Sequence, residues 1–397
     1  MKIYEIGTGY TPIPAKNGAA TEIVVEELTK SLLKQGYETE LIDIQASTRL
    51  PNKLPITEVK VPQLFMRTDV QLGLMHKLKR VVYSVCLAKK LARILKQAEE
   101  PVMLHFHNQY NMYFYLKLVP NKLQKKATTA YTVHSYIWHG AWKDIEETVH
   151  KRYFQELHCI KHADYVFVLN QRTRKTFVTH QLANDEKVFL VNNGVNTDIY
   201  HPLAPAEKLA NATQWGLEDR KVFIQVGSVC ERKNQMQALR MLLPLMHEDK
   251  NIVYCYAGGI ISEEYQEAIT KLAHENGVSD NVRYFGELSP GCKLNEFYNL
   301  ADAMIFPSQA EGFSLVIIEA MAAGVPVVVS DKLQFLLADE CLRYHSEEDI
   351  IPLLYSKILD DAARREIVAR VRSVVEANYN WDRIAADYCS IWSEIGK

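Results

Sequence analysis

The stretch from Ala310 to Ser330, A-E-G-F-S-L-V-I-I-E-A-M-A-A-G-V-P-V-V-V-S, constrains the fold of this chain more than any other. An apolar run, Ala303 to Phe306, precedes it and stops at Pro307, as a buried strand does where it enters a loop. Gly312, Phe313 and Ser314 then make a tight loop, Leu315 to Ala323 a helix stopped by Gly324, and Val325 to Val329 a second buried strand. That order sets a helix N-terminus at the carboxyl edge of a parallel sheet. Unpaired N–H groups and the helix dipole make such a point a phosphate site.

Two acids frame this site. Glu311 sits just before the helix, and Glu319 falls on the same helix face two turns on. One can lie beside phosphates while the other reaches a group farther along the same ligand. A ribose diol suits an ionised carboxylate, which accepts from two hydroxyls. Glu319 stands among Val316, Ile317, Ile318, Ala320 and Met321, where an unpaired acid would be costly, so a merely solvated pair of acids is the weaker reading.

E-G-F-S-L-V-I-I-E-A-M-A-A-G-V-P-V-V is similar to the E-x7-E signature of the retaining glycosyltransferases of family 4. The resemblance implies an α/β chain with the GT-B fold: two Rossmann-like domains facing across a cleft, and a C-terminal helix crossing back to the first. It gives Glu311 to the donor sugar together with Gly312 and Phe313, and Glu319 to the ribose of the nucleotide. Backbone amides at Phe313, Ser314 and Leu315 would meet the sugar hydroxyls and the diphosphate. The family usually has glycine where this chain has Ser314, which is small enough to fit.

The 397 residues suit two domains, and 48% hydrophobic with 24% charged residues fills two cores. A formal net charge of −2 recruits no nucleic acid. Seven cysteines stand singly without a C-x-x-C pair, which points to reduced thiols in the cytoplasm and away from zinc or a disulfide framework. Met1 to Ile6 reads as a first strand and not as a signal peptide, and no apolar run is long enough to span a bilayer. The expected location is the cytoplasm, either free or at the inner face of the membrane.

Along the first half, Lys2–Ile6, a helix with Val25, Leu28 and Leu32 on one face, and the strand 38–44 form a Rossmann-like opening. Gly18, in N-G-A-A, stands where the resembling family carries Gly-Gly. It either lets backbone approach the donor diphosphate or the acceptor, or serves as a turn. Leu50 to Val61 is Pro-broken and reads as a loop or short strand pair. Residues 70–97 form a helix with Lys77, Lys79, Arg80, Lys89, Lys90, Arg93 and Lys96, either a solvated face or a peripheral contact for anionic headgroups.

The strand P-V-M-L-H-F-H turns His105 and His107 to one face. Two histidines can share a metal, but no third ligand lies nearby in the sequence, which favours a structural role. His134 follows the strand Thr128–Val133, at the carboxyl end where α/β proteins keep ligand chemistry. It matches the family's interdomain histidine, whose implied role is to face the donor sugar. The stretch N-N-G-V-N to His201-Pro202 resembles the family's linker. The expected domains are therefore 1–202 for the acceptor, 203–378 for the nucleotide sugar, and 379–397 as the returning helix.

Past the strand Lys221–Val226, the family's loop usually reads G-R-x-x-x-x-K-G. Lys233 matches the lysine, Ser228 replaces the arginine and Asn234 the glycine. Arg232 either supplies the missing cation for the diphosphate or points to solvent and leaves the task to Lys233.

The expected activity is retaining, metal-independent transfer of a hexose or N-acetylhexosamine from a nucleoside diphosphate sugar, UDP favoured, with no cofactor. His134, Glu311 and Lys233 are the catalytic candidates. The acceptor is a glycan or lipid-linked hydroxyl of the cell envelope, or a small soluble molecule such as an aminocyclitol. A nucleotide-sugar epimerase shares the fold. A nicotinamide dehydrogenase is disfavoured because Gly7-Thr8-Gly9 leads into Pro12 and Pro14, with no G-x-G-x-x-G.

Overall fold

The computed structural model describes residues 1–15, 19–47, 49–66, 74–333 and 341–394. Gly18 and residues 70–73 of the expected basic helix lie outside them. The chain forms two units, Met1–Asn193 with Trp381–Lys397, and Gly194–Asn380.

The first unit is built on strands β1 (Lys2–Ile6), β2 (Thr39–Ile44), β3 (Ile56–Val59), β4 (Val102–Phe106), β5 (Ala127–Val133), β6 (Tyr165–Val168) and β7 (Val188–Leu190). They pair in parallel in the order β3-β2-β1-β4-β5-β6-β7. Helices cover both faces, as a parallel sheet requires, which explains why the central strands read as apolar runs. Leu50 to Val61 supplies a single edge strand, β3, and not a strand pair, because Pro51 and Pro55 leave only Ile56–Val59 free to continue the ladder.

The Trp381–Glu394 helix belongs to this unit. It lies on the Ala20–Lys34 helix, where Gln35 Nε2 donates to the Asp382 carbonyl at 2.6 Å and Lys34 pairs with the Asp382 carboxylate. Tyr388 packs on Phe167 with ring centroids 4.5 Å apart, so the chain's last helix completes the core of its first unit.

The second unit carries β8 (Lys221–Val226), β9 (Ile252–Ala257), β10 (Val282–Tyr284), β11 (Ala303–Phe306), β12 (Val327–Ser330) and β13 (Leu342–Tyr344). All are parallel, in the order β10-β9-β8-β11-β12-β13. Strand order reverses between β8 and β11, and the crevice outside their carboxyl ends is where such sheets hold ligands.

The unit begins at Gly194, not after Pro202. The Val195 amide donates to the Tyr379 carbonyl at 2.7 Å, and Val195 bridges to Asn380. The side-chain oxygens of Asn295 and Asn299 then accept from the His201 and Leu203 amides at 3.2 and 2.8 Å. These bonds draw the expected linker from Gly194 onward into the second unit, while Asn192 and Asn193 stay with the first.

The ends of β8 and β9 meet through glycines. A Cβ on Gly258 would stand 2.0 Å from the Gly227 carbonyl oxygen, and Gly258 has φ +147°. Gly258→Ala is expected to cost about 2–5 kcal/mol of unfolding free energy, through the clash and the disfavoured backbone. Urea unfolding measures this, and a loss below about 1 kcal/mol would show that the loop relaxes freely.

Candidate active site

Lys233 is placed by a buried polar ladder. The Tyr254 hydroxyl donates to Gln225 Oε1 on β8 at 2.8 Å, and Gln225 Nε2 donates to the Lys233 carbonyl at 2.6 Å. Asn234 follows in the left-handed region, φ +59° and ψ +43°, directly before the Gln235–Glu248 helix and without a side-chain capping bond to it. Asparagine tolerates that region better than most residues, which accounts for its standing where the resembling family has glycine. Gly227 lets the lysine stem pass, since a Cβ there would lie 3.3 Å from Lys233 Cε.

The stem delivers a cation to Glu311. Lys233 Nζ lies 2.6 Å from Glu311 Oε1, Arg232 Nη1 lies 2.9 Å from the same oxygen, and the Ser308 hydroxyl donates to it at 2.6 Å. Arg232 also donates to the Ala310 carbonyl at 2.9 Å, and its own carbonyl accepts from the Gln309 amide at 2.9 Å. Arg232 therefore does not point to solvent. It is half-buried and ties the loop after β8 to the loop after β11.

Lys233 and Glu311 are 8% and 6% exposed. Burial pulls the Lys233 ammonium below the usual lysine range, and the Glu311 carboxylate offsets only part of that fall. Two cations on one carboxylate leave a net positive charge at the switch point. All three of these donors converge on one carboxylate oxygen, Oε1.

Ser314 precedes the Leu315–Ala322 helix at φ −111° and ψ 106°, a conformation open to any residue, so serine stands there without strain. No side chain caps this helix end. Its first amides thus have no intrahelical partner and can meet an anion. Gly324 ends the turn at φ +78°, where glycine is the favoured residue. Gly312 and Phe313 lie in the loop between Glu311 and this helix, with the Phe313 ring 6.0 Å from that of Tyr379.

Inside the helix, Glu319 is 5% exposed and accepts from the Tyr298 hydroxyl at 2.8 Å. Burial raises its carboxyl to about 7 against the hydrogen bonds of Tyr298 and Tyr200, which pull it down.

In the first unit, His134 follows β5 and is half-buried. Its loop is clamped by Glu156, whose buried carboxylate accepts from Ser135 and Tyr131 hydroxyls at 2.8 and 2.9 Å and from Trp138 Nε1 at 3.1 Å. Burial raises the Glu156 carboxyl against these three donors. His134 Nε2 lies 3.1 Å from His107 Nδ1.

The third partner that the sequence did not reveal for His105 and His107 is Glu5. The register of β1 on β4 sets Glu5 opposite His105, and its two oxygens lie 3.0 Å from His105 Nδ1 and 2.8 Å from His107 Nε2. Three ligand-type atoms come within 4.8 Å of one another here. Both nitrogens already lie at hydrogen-bond distance from the carboxylate, so the group satisfies itself without an ion.

Sequence reasoning missed Glu5, Glu156, Ser308, Tyr298 and Tyr200. Glu5 carried a signal: an acid inside an apolar strand of a parallel sheet must find a buried partner. The tyrosines and Ser308 lie on other elements and gave none. The basic helix is only partly a solvated face. Lys79 is buried and donates to the Tyr10 carbonyl at 2.8 Å, and the Arg80 guanidinium lies 4.4 Å from the Tyr10 ring centroid.

The D-inositol 3-phosphate glycosyltransferase of Corynebacterium aurimucosum is 26% identical over 267 residues, 64% of this chain and 62% of that protein. The chain spans between 33% and 62% of the length of such curated relatives. Among solved structures, sucrose-phosphate synthase from Thermosynechococcus elongatus superposes with a TM-score of 0.78 at 19% identity, covering 100% of this chain and 99% of that one. Anabaena HepE in complex with UDP and glucose superposes with a TM-score of 0.73 at 14% identity, covering 99% and 100%. These structural likenesses establish the GT-B fold. The model of Glycosyltransferase Family 4 matches residues 21–199 and that of Glycosyl transferases group 1 residues 208–336, and the chain belongs to the family 4 glycosyltransferases.

Proposed function

We propose that the chain is a retaining glycosyltransferase that moves a hexose or N-acetylhexosamine from a nucleoside diphosphate sugar, UDP favoured, to an acceptor hydroxyl. The convergence of Arg232, Lys233 and Ser308 on Glu311, beside an uncapped helix N-terminus, carries the reading. The expected role of Gly18 in holding the diphosphate falls outside the described residues.

In this reaction the bond between the anomeric carbon and the diphosphate oxygen breaks, and its electron pair leaves with the diphosphate. Lys233, Arg232 and the amides at Ser314 and Leu315 meet that charge. The sugar passes through an oxocarbenium-like state. The acceptor oxygen attacks from the same face, and its proton passes to a phosphate oxygen. Glu311 orients the sugar with Gly312 and Phe313, Glu319 takes the ribose, and His134 contributes to the sugar's recognition. Fixed cations do this work in place of a metal ion.

The acceptor is a lipid-linked or cell-envelope glycan in this reading, with Lys77, Lys89, Arg93 and Lys96 as the exposed cations for peripheral membrane contact. No described helix is long and apolar enough to cross a membrane. A small cyclitol acceptor is the second reading, and the name of the relative that acts on D-inositol 3-phosphate supports it.

Thermal melts with UDP, GDP, ADP and dTDP, each with and without magnesium, test the donor site. The matching nucleotide at a hundredfold its dissociation constant adds about 2.7 kcal/mol, and it does so without magnesium. No shift with any nucleotide would remove the donor site from this place.

A further inference from the structure

Glu5 lies at the centre of a buried string of hydrogen bonds that ends at His134. It is 0% exposed, one residue before the carboxyl end of β1. Toward one side, His105 Nδ1 is 3.0 Å away, His105 Nε2 lies 2.7 Å from Thr132 Oγ1, and Thr132 Oγ1 lies 3.2 Å from the Tyr388 hydroxyl. Toward the other, His107 Nε2 is 2.8 Å from Glu5, and His107 Nδ1 is 3.1 Å from His134 Nε2. One direction of donation satisfies every link.

An ionised carboxylate only accepts, so the two nitrogens facing Glu5 both carry protons. A neutral His107 that holds its proton on Nε2 has a bare lone pair on Nδ1. The bond from His107 to His134 then requires the proton to sit on His134 Nε2. His134 Nδ1 is left as a lone pair, and among the described residues it has no hydrogen-bond partner.

We propose that Glu5 is a positioning residue that acts through His107 to fix His134 as its Nε2–H tautomer, so that His134 offers its ligand an acceptor nitrogen and selects a hydroxyl. That the hydroxyl belongs to a sugar rests on the functional reading above; the tautomer does not.

The charge states agree. Burial pushes the Glu5 carboxyl up, but His105 and then His107 outweigh it and bring it down to about 2. Burial and the neighbouring His105 lower His107 to about 4, against the pull of Glu5. Burial, His107 and His105 hold His134 well below the usual histidine range. At neutral pH the string therefore contains one carboxylate and neutral His107 and His134 rings.

The test is imidazole NMR of the full chain labelled with 15N-histidine. His107 and His134 are both expected as Nε2–H at neutral pH. An Nδ1–H or doubly protonated His134 overturns the proposal. Glu5→Gln keeps the shape but can accept from only one ring, so His105 or His107 must invert; two unchanged rings overturn it.

His107→Phe removes the acceptor and leaves His134 as a tautomer mixture. His107→Gln, whose amide can donate to Glu5 and accept from His134, restores the single form. A single unchanged His134 form in His107→Phe overturns the proposal, as does stoichiometric zinc in the purified protein, lost on mutating Glu5.

A kinetic arm separates the two readings. His107→Phe is expected to lower kcat/KM for the sugar donor about tenfold while UDP binds as before. A changed tautomer with unchanged transfer would keep the string and overturn the sugar contact.

Discussion

Lys233→Met lowers kcat for sugar transfer by about 10²–10³-fold, the loss typical of removing one donor from a developing anion. Methionine keeps most of the stem's volume and deletes the charge. In the proposed reaction the leaving diphosphate gains negative charge as its bond to the anomeric carbon breaks, and Lys233 would act mostly in that transition state. The loss therefore falls on kcat and kcat/KM together, with a smaller change in donor affinity.

The fold survives the substitution, because Glu311 retains Arg232 at 2.9 Å and Ser308 at 2.6 Å. Lys233→Arg does not restore activity. A planar, forked guanidinium cannot reproduce the compact ammonium that Lys233 sets 2.6 Å from Glu311 Oε1. Steady-state kinetics beside urea melts decide the matter, and an unchanged kcat in a folded Lys233→Met variant removes Lys233 from the chemistry.

Glu319→Ala weakens UDP binding about 10²-fold, since two charge-assisted hydrogen bonds to the ribose are lost. At saturating donor it leaves kcat nearly unchanged, whereas Glu311→Ala mainly lowers kcat. The binding is also pH-dependent. In the free protein, burial holds the Glu319 carboxyl at about 7, and a ribose diol bound there as proposed would favour its ionised form.

Binding therefore releases a proton below that pH. Affinity rises as pH increases toward 7, up to about tenfold per unit, and levels off above it. The terminal phosphate of UDP titrates in the same range, so the difference between wild type and Glu319→Ala carries the assignment. Calorimetry over about pH 5.5 to 8.5 reads it. Equal affinity in the two proteins would take the ribose away from Glu319.

Much of this site could be read from residues close together in the chain. The loop before Leu315, the helix start and the glycine stop at Gly324 follow from local backbone rules, and the structure has them at Leu315–Ala322 and at φ +78°. Asn234 in place of glycine also obeys such a rule, because the position needs a positive φ.

The linker did not yield to the same reasoning. Pro202 looked like a boundary, but Val195, His201 and Leu203 are held by residues from far along the chain. Arg232 was open between solvent and site for the same cause. Its partners, Ala310 and Glu311, lie on a different loop.

The sequence by itself determined the parallel α/β class, the tight turn into the Leu315–Ala322 helix and the pair of acids framing it. Each depends on spacing within one strand–loop–helix segment, where 2.0- and 3.6-residue periods fix which side chains share a face. Only the tertiary structure decided what those groups touch. It brought Lys233 to Glu311 by joining the ends of β8 and β11, Tyr298 to Glu319 by packing two helices, and Glu5 between two histidines by setting β1 against β4. Those meetings follow from strand order and register, which are set by burying apolar surface over the whole sheet and leave no mark in any single stretch of chain.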